Sequence, residues 1–191
     1  MKFKIMESNL IQPIKFNGPD EFDEFLEKNC SKFLEETGGR KLYRGVRNPI
    51  GDTFIGTPRK NRRPKDTPKE IHDSLDDFFD QTFGWNARSE GLFTTGSRRF
   101  ASTYGLVYEI YPLGEYRFLW APKIRDLYIR IEEKFESSQH AFDKDPTEDE
   151  IYAFCDDVVS EYRDDNLEKA IESGNEIMID CNKYIAKILG A

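Results

Sequence analysis

Three short stretches of this chain carry side chains suited to chemistry, and they lie far apart in sequence. Arg44 interrupts the apolar run Leu42-Tyr43-Arg44-Gly45-Val46, and a charged group in such a run is paired or engaged with a ligand. Thr95-Gly96-Ser97 is a small hydroxyl-bearing turn after the strand-like Gly91-Leu92-Phe93-Thr94, and it opens a short helix carrying Phe100 and Tyr104. Hydroxyls and free backbone N–H groups at a strand-to-helix junction suit a phosphate-bearing or strongly polar ligand. Glu176 opens the strand Ile177-Met178-Ile179. An arginine offers a bidentate, permanent positive charge to phosphate or ribose. A carboxylate at a strand edge can polarise a ribose hydroxyl or stabilise positive charge on a sugar carbon. The set suits cleavage of an N-glycosidic bond through an oxocarbenium-like transition state. Each member also has a plain structural alternative: a paired arginine, a helix cap and a solvated strand end.

These residues need elements to hold them. A strand is expected at Met1–Ile5 or Ile11–Phe16. One helix should follow from Pro19 through Phe22, Phe25, Leu26, Cys30 and Phe33 to Thr37-Gly38-Gly39. Thr67-Pro68-Lys69-Glu70 reads as a capping-box start for a helix with Ile71, Leu75, Phe78 and Phe79 on its apolar stripe, ending near Gly84. Leu106–Tyr111 and Tyr116–Trp120 read as a hairpin turned by Pro112-Leu113-Gly114. A polar helical stretch starts near Asp126, and Thr147-Glu148-Asp149-Glu150 is a second capping box. Strands at Glu176–Cys181 and Tyr184–Leu189 close the chain. Helices around mainly antiparallel strands make the class α+β.

At 191 residues the chain is read as a single domain, with residues 1–40 a helical arm and 41–191 the catalytic core. A net charge of −8 argues against a broad nucleic-acid footprint. Cys30, Cys155 and Cys181 are odd in number and lack metal-site spacing, so they read as free thiols in a reducing compartment. The first residues lack a signal-peptide pattern and no apolar run reaches membrane-spanning length, so a cytoplasmic protein without a membrane partner is expected. Arg59 to Lys65 holds five cationic side chains. It is read as a solvated loop or as a grip on adenine-side phosphate, an acidic target or nucleic acid. Tyr43, Trp85 and Trp120 are expected in the core or pocket wall, His72 and His140 at the surface. No metal site is visible, and the acidic run Asp143–Glu150 lacks a calcium loop's spacing.

Leu42-Tyr43-Arg44-Gly45, the hydroxyl turn after an aromatic-bearing strand, and a Glu on a later strand together resemble the Arg/Ser-Thr-Ser/Glu signature of mono-ADP-ribosyltransferases, over roughly Leu42 to Ile188. The segments F-G-W-N-A-R-S-E-G-L-F-T-T-G-S and V-Y-E-I-Y-P-L-G-E-Y-R-F-L-W look like the bacteriophage-encoded branch, which would place the protein in a host cytoplasm. The resemblance implies a split core of two packed, mainly antiparallel sheets flanked by helices. It also implies NAD as co-substrate, no metal, and ADP-ribose transfer to a macromolecular acceptor, a host protein first and a nucleic acid as the open alternative. Arg44 would hold the NAD diphosphate and the nicotinamide-side ribose, and Gly45 would bind the nicotinamide amide through its backbone. Thr95 would orient Glu176. Gly96 and Ser97 would complete the pocket turn, and Phe100 or Tyr104 would contact nicotinamide. Glu176 would be the catalytic acid.

Two positions depart from the family pattern. Gly96 replaces the middle hydroxyl, and Gly174 stands where a Gln or Glu helps choose the acceptor. Glu172 is near, but in the wrong register. The departures leave open an NAD glycohydrolase and a non-reacting binding module. The oligomeric state is not legible.

Overall fold

A computed structural model of the chain describes residues 11–48, 51–63, 67–136 and 146–189. The helices are α1 (Pro19–Asn29), α2 (Ser31–Thr37), α3 (Lys69–Phe83), α4 (Ala87–Glu90), α5 (Arg98–Ser102), α6 (Leu127–Ile131), α7 (Glu148–Ser160) and α8 (Leu167–Ser173). A π-helical turn, Glu132–Glu136, extends α6. The strands are β1 (Ile11–Pro13), β2 (Leu42–Val46), β3 (Thr53–Gly56), β4 (Leu92–Thr95), β5 (Leu106–Trp120) and β6 (Glu176–Ile188).

All six strands are antiparallel and belong to one sheet in the order β1-β3-β6-β4-β2-β5. A further pairing of β5 with β6 closes β6, β4, β2 and β5 into a small barrel. The class is therefore α+β with an antiparallel sheet. The strands are hydrogen-bonded into one sheet, where two separate packed sheets were expected.

Apolar alternation explains why helices cover both sides. Ile177 and Ile179 face a cluster with Phe22, Leu26, Phe33, Leu42 and Tyr108. Met178, one residue out of phase, joins Ile71, Leu75, Phe79, Leu127 and Phe154 on the opposite side. The uninterrupted apolar run Ile177-Met178-Ile179 is thus a strand buried on both faces. The helical segment before residue 41 packs onto the sheet: Phe22 and Phe33 lie in the same core as residues of β5 and β6.

Several expected elements form differently. The first helix is two, because Cys30 leaves helical geometry at φ −127° and ψ 19° between α1 and α2. Leu106–Trp120 is one strand with a bulge between Leu113 and Tyr116. Gly114, at φ 69°, absorbs the irregularity. Pro112 lies beyond Ile110, the last residue paired to β2, so its missing N–H removes no bond there. Opposite the bulge, the exposed Asn182 and Lys183 stay within β6, which joins the two closing strands into one.

The Thr67 capping box does not form. Pro68 takes the cap position, while Thr67 is buried and accepts a bond from Arg88 Nη2 at 3.4 Å. Three elements have no counterpart among the sequence expectations: β3, the helical turn α4, and α8 between Asn166 (φ 59°) and Gly174. The strand option Met1–Ile5, His140 and Asp143–Asp145 fall outside the described residues.

The second capping box forms in full. Thr147 Oγ1 accepts from the Glu150 amide at 3.3 Å, and the Glu150 carboxylate accepts from the Thr147 amide at 2.8 Å. Thr147→Ala is expected to cost about 1 kcal/mol in a denaturant titration. It should leave any activity unchanged, because the cap is exposed and serves α7 alone.

Candidate functional site

The barrel brings the three sequence motifs onto neighbouring strands. Glu176 on β6 pairs with Thr95 on β4, and Thr95 pairs with Tyr43 on β2, next to Arg44. β4 lies between β2 and β6, so Tyr43 and Glu176 both neighbour Thr95, while Arg44, one residue out of phase, follows the alternation of Leu42 and Glu176 that of Met178. The Glu176 amide donates to Arg125 O at 2.9 Å, and Asn175 Nδ2 donates to Ala121 O (2.9 Å) and Pro122 O (3.0 Å), fixing the start of β6.

Glu176 Oε1 is buried and has no hydrogen-bond partner among the described residues. Burial pushes its carboxyl up to about 7, and Asp126 adds to that. Arg88, Arg62 and the Leu127 amide oppose the rise. Asp126 is itself held: Oδ1 accepts from the Tyr128 amide at 2.9 Å, capping α6, and Oδ2 accepts from Tyr104 Oη at 2.6 Å. Burial and this bond hold the Tyr104 phenol well above its ordinary range.

Arg44 donates through Nη1 to Phe93 O at 2.6 Å, where β2 diverges from β4. It makes no ion pair among the described residues. Burial lowers its proton affinity, and Arg59 acts in the same direction.

The turn positions more than it binds. Thr95 Oγ1 donates to Gly174 O at 2.7 Å and accepts from the Ser97 amide at 3.0 Å. The expected aim of Thr95 at Glu176 is therefore replaced by a bond to the residue two before it. Ser97 caps α5 by accepting from the Phe100 amide at 3.2 Å. Gly96 lies so near α8 that a Cβ would stand 1.8 Å from Ile171 O. A Cβ on Gly45 would stand 2.1 Å from Ala101 O, so both glycines are set by close approach of a helix. Phe100 packs edge-on against Tyr104 at 5.6 Å, with Arg125 over its ring at 5.1 Å. Tyr104 lies two residues past the end of α5 and is exposed. Gly174, at φ 69°, ends α8 in left-handed geometry that disfavours a Gln or Glu there. Glu172 is taken up by Arg40 at 2.6 Å.

Thr95→Val should destabilise the protein by about 1–3 kcal/mol, because it strands Gly174 O and the Ser97 amide. Thr95→Ser should recover most of that loss in the same thermal melt.

Two residues near the site, Arg88 and Asp126, have no counterpart among the sequence candidates, whereas Arg62 belongs to the basic loop read as a phosphate grip and His72 is expected at the surface. Arg88, within the helical turn α4, is buried and faces the Phe93 ring at 5.6 Å. Arg62, from the basic loop, lies over the same ring at 4.1 Å. Asp126 stands beside Glu176 as a second carboxylate. His72, expected at the surface, is 4% exposed, and burial holds its imidazole below the ordinary value. Its Nε2 lies 3.1 Å from Ser89 Oγ, while Asp76 Oδ1 accepts from the Arg88 amide at 2.7 Å and the Ser89 amide at 3.2 Å. A signal existed for this group: His72 and Asp76 sit one residue after Ile71 and Leu75, so they ride the edge of the apolar stripe. Trp85 and Trp120 are core, as expected.

Among the described residues no helix is long and apolar enough to cross a membrane, and no group of three or more His, Cys, Asp and Glu side chains could hold a metal ion. No protein-family model, no curated protein and no solved structure matches the chain.

Proposed function

We propose that the protein is a mono-ADP-ribosyltransferase that uses NAD. The reading is supported above all by Glu176 Oε1, a buried acceptor with no partner among the described residues, at the start of β6, which neighbours the short strand β4. An enclosed acceptor of this kind is completed by a hydroxyl donor such as a ribose hydroxyl. In this reading the bond from the ribose anomeric carbon to the nicotinamide nitrogen breaks, and its electron pair leaves with nicotinamide. The Glu176 carboxylate stabilises the positive charge left on the sugar. A nucleophile on the acceptor then bonds to that carbon and gives up its proton. Arg44 neutralises the diphosphate, and Phe100 and Tyr104 border the nicotinamide side.

The test is incubation with labelled NAD and a cell lysate, following nicotinamide release and acceptor labelling. Wild-type protein should do both and Glu176→Ala neither. Absence of both from wild type, at the level of the variant, would overturn the reading.

Gly174 favours a second reading, NAD hydrolysis, since it presents no side chain to select or activate an acceptor. Free ADP-ribose accumulating without a labelled acceptor would select it.

A further inference from the structure

We propose that Arg62 and Arg88, stacked on the Phe93 ring, form an oxyanion site that takes a phosphoryl group, with a compact diphosphate as its best occupant. Arg88 is 4% exposed. Among the described residues, its one hydrogen bond through the guanidinium is the 3.4 Å contact to Thr67 Oγ1, and its buried Nε has no partner. Neither Arg62 nor Arg88 makes an ion pair among the described residues. An uncompensated buried cation is costly, and two beside one another more so. Their mutual repulsion is visible: burial, together with Arg44 and Arg88, pulls Arg62 down to about 10.

The arrangement is built rather than incidental. The Arg62 amide donates to Ser89 O at 3.0 Å, and Asp76 accepts from the Arg88 and Ser89 amides. The backbone of both arginines is thus tied to one place before the side chains are considered. The guanidinium carbons of Arg62 and Arg88 then lie 4.1 and 5.6 Å from the centroid of the Phe93 ring, a contact that orients the planes and leaves N–H edges for an anion. Glu176, the nearby carboxyl, supplies at most one negative charge, and burial favours its neutral form.

Charge selects the size of the occupant. The protein as a whole carries −8, which repels an extended polyanion, whereas a small anion needs only the local positive field. Guanidinium forks match phosphoryl oxygens in pairs. The site does not require that the chain catalyse anything, although a dinucleotide diphosphate would satisfy it.

The probes are inorganic pyrophosphate, inorganic phosphate and ADP, with binding read by calorimetry at low and high salt. Pyrophosphate and ADP should bind, phosphate more weakly, and all three should weaken as salt rises. Arg62→Gln should weaken pyrophosphate at least tenfold. That variant keeps its backbone bond to Ser89, so it is the one to rely on if Arg88→Gln fails to fold. Unchanged pyrophosphate affinity in Arg62→Gln, or ADP binding without pyrophosphate binding, overturns the proposal. Nicotinamide release measured on the same samples separates the two ideas. Pyrophosphate binding without release leaves the anion site standing and removes the transferase reading.

Discussion

Glu176→Gln should abolish nicotinamide release from NAD while making the folded protein more stable at alkaline pH. Removing a group that stabilises transition-state charge costs about 100-fold or more in rate, and the amide keeps the shape but not the charge. The stability effect follows from the raised carboxyl. Burial lifts it from 4.5 to about 7, so the folded state holds the proton more tightly than the unfolded chain. Its favourable contribution is complete below pH 4.5 and is lost as pH rises through about 7. The swing for wild type is on the order of 3 kcal/mol, with Arg62, Arg88, Asp126 and Tyr104 as the charged and titratable neighbours. Urea titrations at pH 5 and pH 8.5 should show this swing in wild type and lose most of it in Glu176→Gln. Activity should run the other way, rising through about pH 7 as the carboxylate forms. A stability–pH curve identical in the two proteins would show that Glu176 is ordinary.

Gly96→Ala should be the most damaging small substitution in the chain. The new methyl would lie 1.8 Å from Ile171 O and 2.6 Å from Ile171 C, in the backbone of α8. No rotamer change relieves a clash between a Cβ and a main chain. The expected loss is about 3 kcal/mol or more, equivalent to roughly 6–12 °C in Tm. Relief must come from moving α8 away from the turn, and α8 leads through Gly174 to Glu176. Residual activity should therefore fall further than the folded fraction. Gly18→Ala is the matched control, with extended backbone and nothing within 4 Å of the added methyl. Equal melting temperatures for the two variants would contradict the packing described.

Much of this architecture was legible because local signals and tertiary packing agree. The capping box at Thr147, the left-handed stop at Gly84 and the buried run Ile177–Ile179 all mean in three dimensions what they mean in sequence. Two of the differences arise where a tertiary partner overrides local turn chemistry. Pro112-Leu113-Gly114 looks like a turn, but β6 lies alongside throughout and converts it to a bulge. Thr67 looks like a cap until Arg88 claims its hydroxyl. In the site, Arg44, Thr95 and Glu176 could be chosen by type and position, and the register sets them on neighbouring strands. Arg88 could not, since one arginine in a polar segment carries no periodic signal and only its burial marks it. The basic loop showed its charge but not which member turns inward. That member is Arg62, whose guanidinium lies over Phe93.

The last strand pairs with β3, β4 and β5, all contributed by chain that precedes it. Until β6 docks, the barrel has no closing member and Glu176 has no surroundings to perturb it. Assembly of the site and completion of the fold are thus the same event, reached through distant contacts that slow folding. A nascent chain that has not yet added β6 lacks Glu176 and its pairing with Thr95. In the finished protein, the amides of Ile177–Ile179 should exchange with solvent only through global unfolding. Glu176 opens that strand, so loosening its start disturbs the segment on which closure of the barrel depends.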